Sequence, residues 1–218
     1  MNLEFEEYLR STRFMDFDKK AVQEYTLKKT AGLATDKEKA VALYYAVRDD
    51  VKYSPWGLVM SPDAISASLT LEKGFGYCIE KSLLLAACTR FLGIPSRLGF
   101  SIVRNHISSE KFVEMLRTDK FVFHGYNEFW INEKWIKCTP AFNKTLCEKY
   151  GTPALDFDGE EDSIFQQFSA DGRQYMEYLH EYGTFADFPY DLFESEIREH
   201  YPHLFEEGKP KLMVNENS

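Results

Sequence analysis

At 218 residues, 44% of them hydrophobic, the chain is long enough to bury a core without disulfides or metals, and one domain is expected. Its 26 basic and 35 acidic residues leave a net charge of −9 with no Lys/Arg cluster that would neutralise a run of phosphates, which excludes nucleic acid as the expected partner. The opening MNLEFEEYLR lacks the basic flank and apolar run of a signal peptide, no stretch reaches the length of a membrane span, and Cys78, Cys88, Cys138 and Cys147 are too few for a disulfide scaffold, so a cytoplasmic chain with reduced thiols and no membrane partner is expected.

In chain order, Asp18 is placed to cap a first helix that Gly32 ends. Thr35 and Glu38 form a capping box for a second, in which Ala40, Leu43, Tyr44 and Val47 share one apolar face. Ser61 and Pro62 are read as the start of a short helix in SPDAISAS. In GFGYCIEKSLLLAACTRFLGIPSR a glycine turn leads into a nearly all-apolar helix from Cys78 to about Leu92, closed by Gly93 and Pro95. SRLGFSIVR reads as a strand and SSEKFVEMLRTD as helical. FVFHGYNEFWINEKWIKCTPAFN reads as two strands around an Asn132-Glu133 turn, which sets Trp130 opposite Trp135 and Tyr126 opposite Thr139, with His124 diagonal to Thr139. From Leu146 the chain turns acidic, in LDFDGEEDS, and two further helices are expected in DGRQYMEYLHEYG and PYDLFESEIREH.

A cysteine at a helix N-terminus lies in the positive end of the dipole beside unpaired N–H groups, and both favour the thiolate. Gly74 and Gly76 leave room for a substrate to approach Cys78, whose own amide can donate to an oxyanion. Thiol activation also needs a base and a group that orients the base, and His124 and Thr139 supply them in chain order. Taken singly, a buried core cysteine and a satisfied strand histidine explain the same residues.

The blocks GYCIEKSLLLAACTRFLGIPSR and HGYNEFWINEKWIKCTP resemble the two signature blocks of the transglutaminase-like superfamily, and VRDDVKYSP resembles the segment preceding the cysteine in small bacterial members. The resemblance spans about residues 36–143. It implies an α/β (α+β), papain-like core in which N-terminal helices pack on an antiparallel sheet. Residues 144–218 would be a C-terminal helical extension packed on that core, within a single domain over 1–218. It makes Cys78 the nucleophile and His124 the base, gives Arg90, GIPSR and Trp135 structural positions, and sets Thr139 where the family usually has Asp.

A threonine hydroxyl can accept from imidazole and hold its tautomer, but it brings no charge. Asp156 or Asp158 is the expected replacement carboxylate if the tail folds back, and Trp56 is a candidate second oxyanion donor. The implied chemistry is acyl transfer or hydrolysis on a peptide or amide substrate with no cofactor; the alternative is a catalytically silent domain that binds a protein partner. His106 is a second candidate base, and a redox pair of Cys78 with Cys138 would require close sulfurs. No metal site is expected: DFDGEED lacks the ligand spacing of an EF-hand loop, and His200 and His203 straddle Pro202.

Overall fold

The computed structural model describes residues 3–105, 110–164 and 176–205. A 3-10 turn (Leu3–Tyr8) leads to α1 (Lys20–Lys29), α2 (Asp36–Asp50), β1 (Lys52–Tyr53), α3 (Ala67–Lys73), β2 (Phe75–Gly76) and α4 (Cys78–Phe91). Then come β3 (Ser96–Asn105), α5 (Glu110–Leu116), β4 (Lys120–Ile131), β5 (Lys134–Cys138), α6 (Lys144–Tyr150), β6 (Met176–Phe185), α7 (Tyr190–His200) and a 3-10 turn (Pro202–Phe205). The expected α+β architecture is present: helices pack on one antiparallel sheet of order β5-β4-β3-β6, while β1 and β2 form a short parallel pair. Among the described residues no helix is long and apolar enough to cross a membrane.

Local chemistry accounts for the starts of α2 and α3. In α2, Glu38 N–H donates to Thr35 Oγ1 at 3.2 Å and Thr35 N–H to Glu38 Oε2 at 2.8 Å, the expected capping box. Asp18 does not cap α1; its carboxylate accepts from Ser11 Oγ at 2.9 Å and Lys19 stands at the N-cap. SPDAISAS does not open a helix at Ser61. Its Ile65 is buried in the core, and α3 begins only after Ser66, whose Oγ accepts from Leu69 N–H at 3.3 Å.

The β4–β5 hairpin has the expected register, with Trp130 opposite Trp135, and both Asn132 and Glu133 adopt positive φ (51° and 63°), as a two-residue turn of matching twist demands. The helix expected in DGRQYMEYLHEYG is corrected. Residues 171–175 lie outside the described residues, and 176–183 belong to β6, which pairs antiparallel with β3. An unpaired edge on β3 would leave a row of backbone groups without partners, and that long-range demand overrides the local helical spacing. The extension beyond residue 143 therefore contributes a strand to the sheet as well as α6 and α7. On the opposite edge the acidic loop closes β5: Ser163 N–H donates to Lys137 O at 2.8 Å and Thr139 N–H to Ser163 O at 3.0 Å.

Every residue of α4 from Cys78 to Arg90 is buried. Arg90 is satisfied by carbonyls alone: Ser96 O (3.1 and 2.6 Å), Arg10 O (3.0 Å) and Ala186 O (2.5 Å). Arg90→Met would leave these acceptors without their donor, and we expect a loss of about 3 kcal/mol, read as a lower urea midpoint with an unchanged m-value.

Candidate functional site

The start of α4 is fixed by charge. Tyr77 N–H donates to Glu80 Oε2 at 2.8 Å, and Glu80 pairs through its other oxygen with Lys73. Cys78, 1% exposed, is packed in the core, with Tyr77 before it stacked near Tyr53 (5.8 Å between ring centroids) and Tyr53 in turn edge-on to Phe142 (4.6 Å). Burial pushes the Cys78 thiol up to about 12; the amides of Gly125 and Ile79 and the Tyr77 hydroxyl act in the opposite direction and are outweighed. The thiolate expected from the helix dipole is thus not the form this conformation favours, because desolvation exceeds the roughly 0.3–1 kcal/mol that a helix end supplies.

Gly125 and Asn127 of β4 face α4. A Cβ on Gly125 would stand 3.3 Å from Ile79 Cα, a tight contact that a larger residue could make only if its neighbours shifted, and Asn127 Nδ2 donates to Ser82 O at 2.9 Å. The Gly125 amide that meets the Cys78 sulfur belongs to the residue directly after His124, so the fold joins the two sequence blocks at this point.

His124 is 4% exposed, and burial pulls its imidazole down to about 4. Among the described residues its Nε2 has no hydrogen-bond partner, and neither has Thr139 Oγ1. The backbone of Thr139 is held on both sides, its N–H by Ser163 O and its carbonyl by Tyr44 OH at 3.3 Å, while the hydroxyl stays unpaired. The chain just before His124 is unusual: the β3–β4 register shifts between Ser101 and Val103, and Phe123 has φ 62°. A bulky residue in that region costs on the order of 1–3 kcal/mol.

The candidate replacement carboxylates have other partners. Asp156 is exposed and binds Arg48 Nη1 and Tyr45 OH, both at 3.4 Å, while Asp158 accepts the Glu160 and Glu161 amides at 2.8 and 3.0 Å. Among the described residues, burial is the influence that acts on the His124 imidazole. Trp56 lies edge-on to Phe112 (5.5 Å), which neighbours Tyr77 (6.4 Å), so its ring stands one aromatic residue away from the N-cap of α4. His106 lies outside the described residues. His200 pairs with Glu196 (3.6 Å), His203 bonds Met115 O (2.9 Å), and all four cysteines are free.

One residue near the site escaped the sequence reading. Lys81, one turn beyond Cys78, donates to Arg48 O (2.9 Å) and Val51 O (2.6 Å), and burial pulls its ammonium down to about 7. The signal was the adjacent charged pair Glu80-Lys81 inside an otherwise apolar helix.

Residues 23–140 match the family model described as the transglutaminase-like superfamily. A solved structure of a candidate cysteine protease from Cytophaga hutchinsonii shares the fold at a TM-score of 0.52 and 19% identity, over 65% of this chain and 43% of that one. A candidate protease from Parabacteroides distasonis aligns at a TM-score of 0.38 and 13% identity, over 57% of this chain and 25% of that one. The chain thus spans less than half the length of either solved structure. No curated protein matches it.

The buried imidazole makes a pH test. Unfolded histidine takes up a proton near pH 6.5, whereas folded His124 resists protonation down to about pH 4, so its neutral burial costs nothing above pH 6.5 and destabilises the fold progressively as pH falls through that window. We expect wild type to lose on the order of 3 kcal/mol more than His124→Gln between pH 7 and pH 4, measured by urea denaturation at each pH.

Proposed function

We propose that this chain, which belongs to the transglutaminase-like superfamily, is a cysteine enzyme acting on an amide or peptide carbonyl through Cys78 and His124, with Thr139 in place of the usual Asp. The observation that carries the reading is the meeting of the α4 N-terminus with β4, where the Cys78 sulfur faces the amide of Gly125 beside His124.

The chemistry follows from those groups. His124 takes the thiol proton, the Cys78 sulfur attacks the carbonyl carbon, and the Cys78 amide donates to the oxyanion at the positive end of α4, with Trp56 as a second candidate donor. Imidazolium then protonates the leaving amine, giving a thioester that water hydrolyses or a second amine intercepts. Thr139 Oγ1 is the acceptor available to orient the imidazole once the two side chains meet; both have an unused hydrogen-bonding group. Because Thr139 is neutral, the ion pair of thiolate and imidazolium must stabilise itself, as in cysteine enzymes that use an amide at this position.

The second reading, a domain that binds a protein partner without turnover, is favoured by one observation: burial raises the thiol and lowers the imidazole, which opposes ion-pair formation in this conformation.

A panel of fluorogenic amides, assayed with and without a fluorescent primary amine, separates hydrolysis from transfer. Cys78→Ala should abolish both; turnover retained in that variant sinks the mechanism. Thr139→Val should leave stability unchanged or raise it by about 1 kcal/mol, since the hydroxyl it removes is buried and unpaired, yet slow turnover about tenfold. Thr139→Asp should maintain or raise turnover if this position orients His124. Absence of turnover in wild type on every substrate, with Cys78 alkylated no faster than the other cysteines, favours the binding module.

A further inference from the structure

The C-terminal segment reaches the site through a single hydroxyl. Tyr201, 2% exposed at the end of α7, accepts from Val122 N–H at 2.9 Å and donates to Lys120 O at 2.8 Å. These are β4 backbone groups at the register shift, immediately before strained Phe123 and His124. Tyr201 also lies near enough for the charge of Cys78 to act on it, and near enough to act on Tyr77.

The rest of the segment grips the same place. Phe193 of α7 packs edge-on to Phe123 (5.5 Å), and Tyr182 of β6 packs on Phe123 (4.7 Å) while its hydroxyl donates to Glu196 of α7 at 2.5 Å. His203, in the following 3-10 turn, bonds Met115 O of α5, the helix whose Phe112 neighbours Tyr77. Residues 190–205 thus bridge the bulge beside His124 and the helix beside the N-cap of α4, while Cys78 and His124 are both shut from solvent.

We infer that residues 190–205 form an autoinhibitory latch, in which the Tyr201 hydroxyl clamps the strained β4 bulge and so holds Cys78 and His124 in a closed, unpaired arrangement. Release of the hydroxyl frees Val122 N–H and Lys120 O, lets Phe123 leave its positive φ, and allows His124 to turn toward its partners as the site opens. The inference rests on the reading of Cys78 and His124 as nucleophile and base. Access to Cys78 is then set by the latch equilibrium, and the thiol reacts in proportion to the open fraction.

The test is iodoacetamide alkylation of the full chain at pH 7.5, with mass spectrometry resolving each cysteine, in wild type, Tyr201→Phe, His124→Ala and the double variant. Tyr201→Phe keeps the ring and removes only the clamp. Cys78 should label about tenfold faster, with Cys88, Cys138 and Cys147 unchanged as buried controls, and His124→Ala should slow Cys78 again in that background. Cys78 labelling unmoved by Tyr201→Phe while still dependent on His124 overturns the latch and leaves the Cys–His reading standing. Labelling that rises in Tyr201→Phe but ignores His124 supports the latch and overturns the Cys–His reading. If all four cysteines rise together in Tyr201→Phe, the change is global loosening; Tyr182→Phe, which cuts the tether to Glu196 at a distance, then decides, and a failure to raise Cys78 selectively overturns the latch.

Discussion

The fold is organised by the need to bury α4 on every side while it carries the charged residues Glu80, Lys81 and Arg90. Backbone groups satisfy Lys81 and Arg90 and share Glu80 with Lys73. Glu80 takes the Tyr77 amide along with Lys73, Lys81 reaches carbonyls at the end of α2, and Arg90 reaches carbonyls before α1, at the start of β3 and after β6. An unpaired charge in that interior would cost several kcal/mol, so the N-terminal segment, the end of α2 and the chain after β6 have little freedom in where they lie. The location of Cys78 is a by-product of this arrangement.

The same burial sets the chemistry against itself. The amides around the sulfur and the helix dipole favour thiolate, yet the loss of water around Cys78 and His124 favours the neutral forms, and in the closed state the second effect wins. Under the proposed Cys–His reading the ion pair would form on opening, when water or substrate restores polar surroundings. Thr139 fits that logic: a fixed carboxylate in a closed interior would itself be a buried charge, whereas an unpaired hydroxyl costs only about 1–3 kcal/mol.

What was legible in the sequence is what short-range chemistry decides. The Thr35–Glu38 box, the bounds of α4 and the Asn132-Glu133 turn each depend on residues within a few positions, and each is present as expected. β6 was misread because Tyr178 and Tyr182 fit a helical spacing as well as an extended one, and the deciding partner is β3, far away in the chain. The same limit applies around the site. Cys78 and His124 could be proposed from a helix start and a strand, but the hydrogen-bond partners of Lys81 and Tyr201 are backbone carbonyls and an amide, which leave no trace in the residue types that surround them. Asp156 and Asp158 were named by composition, and only the path of their loop shows their partners, Arg48 and Tyr45 for the first and the Glu160 and Glu161 amides for the second.

The strand order β5-β4-β3-β6 has a consequence for how the molecule is made. A ribosome delivers β3, β4 and β5 first, and these can form their hairpins while β6 is still unmade. Until it arrives, β3 presents an open edge of Leu98, Phe100, Ile102 and Val103, a template for pairing with any neighbouring chain. Arg90 waits at the same time for the carbonyl of Ala186. Synthesis past residue 186 therefore closes the edge and supplies the last acceptor of Arg90, which makes interrupted translation a circumstance in which this sheet is exposed to aggregation.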